Sequence, residues 1–143
     1  MLLVRAPRDA VAAGLATIPT HRTEDFLRAY TAYYRSLLPL REHYVIAPFE
    51  TVIMDVGRVI DAVNRRFGTT FSEIDADRHL ALNQKFLAQE KFDALQARET
   101  TETPDRAPQF DRYSHLLKRA EAEHAQFLAL AADDGTARPA NNA

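Results

Sequence analysis

A chain of 143 residues, 46% of them hydrophobic, is long enough for one domain with a real core. Its 18 basic and 20 acidic residues leave a net charge of −2, which argues against gripping nucleic acid or an anionic membrane by bulk charge, so a partner should be small or proteinaceous. The absence of cysteine excludes disulfides, thiol nucleophiles and Cys-based metal or iron–sulfur centres. The apolar run Met1–Val4 is cut short by Arg5 and no later run approaches a membrane span, so a soluble, cytoplasmic protein without a signal peptide is expected.

In chain order, Leu2, Leu3 and Val4 form an apolar run without alternation, as in a strand covered on both faces. Pro7 suits the first turn of a helix, since it has a fixed φ and no N–H to lose, and Val11, Leu15 and Ile18 then recur at helical spacing. Arg5 therefore stands where a strand ends and a helix begins, at the carboxyl edge of a sheet, where α/β proteins present ligand-binding groups. Thr23 is an N-cap candidate, with Glu24 and Asp25 in the first turn. The stripe Phe26, Leu27, Tyr30, Tyr33, Tyr34, Leu37 and Leu38 predicts a long helix ended by Pro39, its tyrosines in the core rather than forming a base-stacking platform.

A second strand is predicted from Tyr44 to about Phe49, and Pro48 near its end implies an N–H that no neighbouring strand needs. Asp55 caps a helix carrying Val56, Val59, Ile60, Val63 and Phe67, with Gly68 as its stop. Strand, helices, strand, helix is α/β grammar and predicts two parallel strands, about residues 2 to 5 and 44 to 49. Further helices are expected over Asp77–Arg98 and from Phe110 through Tyr113, Leu117, Ala120, His124, Phe127 and Leu128, making five in all. Residues 1–132 then form one domain, and from Asp133 to Ala143 a polar tail should be disordered.

The segment Arg5-Ala-Pro-Arg-Asp-Ala-Val-Ala-Ala13 resembles the strand-end motif Arg-x-Pro-Lys/Arg-Asp-x-x-x-Ser of the sulfotransferases that use 3′-phosphoadenosine 5′-phosphosulfate (PAPS). Tyr44-Val-Ile-Ala-Pro-Phe-Glu50 is similar to the family's strand ending in Tyr-Glu-Asp, and Asp55 to Gly68 to its next helix. The resemblance covers roughly the first half of the chain. It implies that Arg5 holds the 3′-phosphate of PAPS or its product PAP. Ala13 stands in place of the family serine that would share that phosphate. Phe49 replaces the tyrosine beside the adenine, able to stack but not to hydrogen-bond.

The implied fold is an incomplete P-loop-type three-layer α/β domain, its C-terminal part only, with a helix-rich C-terminal half. The implied family activity is transfer of a sulfuryl group from PAPS to a hydroxyl or amine acceptor. In the family the phosphosulfate loop and the catalytic histidine or glutamate precede the matching segment and would lie before Met1, and the later basic nucleotide loop has no counterpart after Gly68. The chain alone is therefore expected to be inactive, with no catalytic residues of its own. The resemblance also puts the phosphate-loop strand between the two predicted here. With that strand missing, the pair must join directly or leave unpaired rows that favour aggregation or a homo-oligomer. The alternative from another class is a non-enzymatic, α-rich protein-interaction module.

Other chemistry finds little support. Glycines at 14, 57, 68 and 135 are too dispersed for a phosphate-cradling loop. Glu121 and His124 make a single Glu-x-x-His unit, where a di-iron bundle needs two and more glutamates, so His124 is expected to be a hydrogen-bonded core histidine. His21, His43, His79 and His115 lack metal-site spacing. Arg65, Arg66, Lys118 and Arg119 read as a solvated face, and the plainer role for Arg5 is capping carbonyls or pairing with Asp9.

Overall fold

In a computed structural model, which describes residues 1–18, 20–72, 81, 84, 85, 88 and 107–137, two short parallel strands are embedded among helices. Strand β1 (Leu2–Val4) pairs with β2 (Ile46–Pro48) in the register Leu2↔Ile46, Leu3↔Ala47, Val4↔Pro48. Helices α1 (Pro7–Thr17) and α2 (Thr23–Leu37) and a 3₁₀ turn (Leu38–His43) make the crossover between them. After β2 come α3 (Phe49–Met54), α4 (Val56–Phe67) and α5 (Ser114–Asp133). The chain is thus a mostly helical α/β protein whose two parallel strands are hydrogen-bonded neighbours, with nothing between them. The expected helix over Asp77–Arg98 falls almost entirely outside the described residues, whereas the short α3 was not foreseen. No helix among the described residues is long and apolar enough to cross a membrane.

Local chemistry accounts for most element ends. Pro7 occupies the first turn of α1, where its missing N–H costs nothing. Val11 and Leu15 are buried from that helix, but Ile18 lies just past its end and is 43% exposed. Pro39 ends α2 as expected. Asp55 accepts the Arg58 backbone N–H at the start of α4, and Gly68 stops that helix at φ 62°, where a side chain would be strained. Thr23 does not cap its own helix: Asp25 accepts the Arg22 N–H, and the Thr23 hydroxyl accepts the N–H of Gln109 at 3.0 Å, tying the start of α2 to the approach to α5. Gly14 lets α1 and α2 come close, since a Cβ there would lie 2.5 Å from the Phe26 ring.

The core gathers Val4, Val11, Leu27, Ile46, Leu117 and Phe127 between β1, α1, α2, β2 and α5. Tyr30 and Tyr34 are buried in it, as their spacing predicts, whereas Tyr33, expected there too, is 53% exposed. Phe127 packs against Tyr34 with ring centroids 5.1 Å apart. Burying each such large side chain contributes roughly 1.5–3 kcal/mol. Leu3 departs from expectation: it is 44% exposed between the buried Leu2 and Val4, so only one face of β1 is covered by packed helices.

The outer edges of the sheet are closed by side chains. Leu2 N–H donates to Val45 C=O at 2.8 Å, so Leu3 and Ile46 face away from the partner strand. On the β1 side the Leu3 carbonyl accepts the Tyr34 hydroxyl at 3.2 Å, and beyond the strand the Arg5 carbonyl accepts that of Tyr30 at 2.7 Å. On the β2 side, Ile46 N–H donates to Asp134 Oδ2 at 3.0 Å and its carbonyl accepts the Thr136 hydroxyl at 2.6 Å. The reason for expecting self-association, rows of unpaired edge groups, is therefore met within the chain at these positions.

These contacts also correct the expected start of the polar tail. Asp133 ends α5, and 134–137 fold back under β2, with Thr136 fully buried and its N–H bonded to Ala131 C=O. Residues 138–143 lie outside the described residues. Asp134 is 7% exposed and held by the Arg41 and Arg66 guanidinium groups. Arg66 also donates to the Arg41 carbonyl, so it is a structural clamp rather than part of a solvated face.

Candidate functional site

Parallel pairing sends both strands out of the sheet at the same edge, and each then turns directly into a helix. With Val4 opposite Pro48, the next residues on the two strands, Arg5 and Phe49, become neighbours. The Arg5 guanidinium lies over the Phe49 ring, 4.6 Å from its centroid. The two residues singled out from the sequence, 44 positions apart, thus share one place in the fold. Arg5 Nε is buried and has no hydrogen-bond partner. Among the described residues Arg5 makes no ion pair with Asp9 and caps no carbonyl; the cation–π contact is what holds its head. Its own carbonyl is held by Tyr30, whose hydroxyl stays protonated because burial pushes its pKa far up.

The first turn of α1 lies beside this pair. Ala10 N–H reaches back to Ala6 C=O, and the N–H groups of Arg8 and Asp9 precede that bond in the first turn. Ala13, two turns on, is half-buried and offers no side-chain donor; its carbonyl accepts the Thr17 hydroxyl at 2.9 Å.

The structure adds a residue that the sequence had placed elsewhere. Arg8 on α1 makes an exposed pair with α5, donating to Glu121 at 3.3 Å, and lies 5.0 Å from the centroid of Phe110. One turn after Glu121 comes His124, half-buried, whose Nε2 is buried without a hydrogen-bond partner among the described residues. The expected hydrogen-bonded core histidine is therefore not what forms at this nitrogen. Burial pushes the His124 pKa down, partly opposed by the carboxylates of Glu50 and Asp9. Glu50 adjoins Phe49, and Asp9 is one helical turn beyond Arg5, so His124 lies within electrostatic reach of both chain segments that carry the pair. An ionisable residue inside an apolar stripe was the available signal, but the groups that give it meaning sit on other elements.

The arrangement offers one guanidinium with an unanswered donor, one aromatic ring and the free N–H groups of a helix start. That set suits an oxyanion attached to something flat. It offers little to a metal: among the described residues no group of three or more His, Asp or Glu side chains could hold an ion. A separate groove of about 290 Å³ is lined by Thr51, Met54, Asp55 and Arg58, but Arg58 is already paired with Asp55 and with the Ala137 carbonyl. No protein-family model, curated protein or solved structure matches this chain.

Proposed function

We propose that the chain is a sulfotransferase-like module of P-loop type that binds the phosphorylated adenosine end of PAPS or PAP at the edge formed by Arg5 and Phe49. The observation that carries this reading is the buried, unpartnered Nε of Arg5 stacked on Phe49 at the end of a strand and the start of a helix. A buried donor without an acceptor costs about 1–3 kcal/mol, and a phosphate oxygen is the acceptor that a guanidinium fork fits best. Phe49 is half-buried, and in this reading its ring is the stacking surface for the purine, with Ala13 leaving the phosphate one donor short of the family pattern. Sulfuryl transfer needs positioned cations for the charge on the moving group and a base for the acceptor's proton. In this reading the chain supplies only the nucleotide grip, and transfer from PAPS to a phenol or alcohol is not expected from it alone.

The test is titration calorimetry with PAP. Saturable binding is expected, weakened about tenfold or more by Arg5→Ala. Arg5→Lys should recover part of that loss, since it keeps the charge without the fork. Equal affinity of wild type and Arg5→Ala, or no binding by either, would overturn the reading. Sulfuryl turnover that Arg5→Ala abolishes would show that the machinery is more complete than proposed.

A further inference from the structure

On its outer side β1 is met by a helix. The carbonyls of Leu3 and of Arg5, two residues on, accept the hydroxyls of Tyr34 and Tyr30, one turn apart on α2, at 3.2 and 2.7 Å. The match has a geometric basis: two residues of extended chain advance about 6.6 Å and four of helix about 6 Å, so a helix running against the strand can address successive carbonyls. The two rings pack on each other with centroids 4.5 Å apart, and Tyr34 packs in turn on the fully buried Phe127 of α5. The shorter of the two hydrogen bonds falls on Arg5, the residue whose side chain forms the site.

We propose that Tyr30 is the positioning residue of the Arg5 site: its hydroxyl fixes the peptide plane that follows Arg5, and through it holds the guanidinium over Phe49 with Nε open to an oxyanion. The inference rests on the anion-binding reading of Arg5 and deepens it. The Arg5 head has little else to hold it. Its Nε has no partner among the described residues, and its ring contact, 4.6 Å from the Phe49 centroid, resists sliding only weakly. The backbone decides instead, because Arg5 and Ala6 make the bend from β1 into α1. Ala6 is extended, at φ −56° and ψ 139°, as the residue before a proline must be, so Pro7 already stiffens that half of the bend. The soft joint that remains is rotation about the Arg5 Cα–C bond, and that rotation carries the carbonyl held by Tyr30. Without the hydroxyl the carbonyl can turn toward water, which changes its angle to the Cβ that aims the guanidinium. A binding group must be held within about 0.5 Å to act at full strength. Tyr30 touches no ligand in this reading and acts through Arg5 alone.

The test uses the full chain with Tyr30→Phe, which keeps the ring and its packing on Tyr34 and removes the hydroxyl alone. In the free protein the Arg5 Nε–H signal in NMR, assigned by its loss in Arg5→Lys, reports where the guanidinium lies relative to the Phe49 ring. The ring should set that signal apart from those of ordinary arginines, and Tyr30→Phe should move it most of the way back. In titration calorimetry PAP should bind Tyr30→Phe about fivefold more weakly than wild type. Thr136→Val, at the outer edge of β2, is the control for lost stability: it also removes a hydroxyl from a strand carbonyl, and it should bind PAP within about twofold of wild type. Wild-type affinity in Tyr30→Phe, an unmoved Arg5 signal, or an equal loss of affinity in Thr136→Val would overturn the positioning role and leave the Arg5 site standing. Absence of PAP binding by wild type would overturn the site itself, and the Arg5 signal would then still decide whether Tyr30 holds the arginine.

Discussion

The outer edge of β2 and the carboxyl edge of the sheet are built from the same materials and treated in opposite ways. At Ile46 both backbone groups that face away from the partner strand are met by Asp134 and Thr136, and Asp134 in turn is held by Arg41 and Arg66. At the carboxyl edge, by contrast, Arg5 keeps a buried Nε with no partner among the described residues. A domain whose whole margin is about 5–15 kcal/mol tolerates few such groups at about 1–3 kcal/mol each. The difference teaches where the chain invests in its own cohesion and where it leaves valences for something else.

The largest effect should come from breaking the closed edge. Asp134→Ala removes the acceptor of two arginines and of Ile46 N–H at once, and leaves two half-buried positive charges uncompensated. A cost of about 3–5 kcal/mol is expected, seen as a fall in Tm of about 10 °C or more. Arg5→Ala loses a partly exposed cation–π contact worth about 0.5–1 kcal/mol and relieves an unpaired donor, so its Tm should hardly change. If the two variants lost equal stability, the contrast between the edges would be false.

A smaller cut sharpens the same contrast. Thr136→Val keeps shape and volume but removes the hydroxyl that reaches both Ile46 C=O and Ala131 C=O, at 2.6 and 3.0 Å. A loss of about 1–3 kcal/mol is expected in urea unfolding, without a change in the denaturant slope. An unchanged midpoint would mean that the Ile46 carbonyl finds water instead, and that the edge is open rather than closed.

What the sequence shows and what it hides divide along the same line. The two strands and their ends were legible because they depend on local signals, an apolar run and a proline; Arg5 and Phe49 were named through the resemblance, and their meeting follows from a direct pairing of β1 with β2 that the sequence left open. Asp55 and Gly68 bound α4 as their chemistry predicts. The closed edge was not legible. Asp133-Asp-Gly reads as a polar turn leading to a tail, and its role depends on Ile46, Arg41 and Arg66 arriving beside it from far upstream. Leu3 misled for a related reason: an apolar run does not say how many layers will cover it. His124 was read from its own stripe, while its surroundings are set by α1 and α3.

The smallest expected effect concerns that histidine and has a definite sign. Burial holds the His124 pKa in the folded chain below its ordinary value of about 6.5. As pH falls past about 6.5, the unfolded chain therefore takes up its proton first, and protonation drains the folded state. The histidine's contribution to stability is complete above about pH 6.5 and declines as pH drops toward and through the folded value. His124→Gln keeps a polar group at the position but cannot titrate, so the difference in unfolding midpoint between wild type and variant should shift against the wild type between about pH 7.5 and about pH 5.5. A wild-type-minus-variant difference that stays flat across the range would mean that His124 gains a proton as easily folded as unfolded, and that its burial costs the charged form nothing.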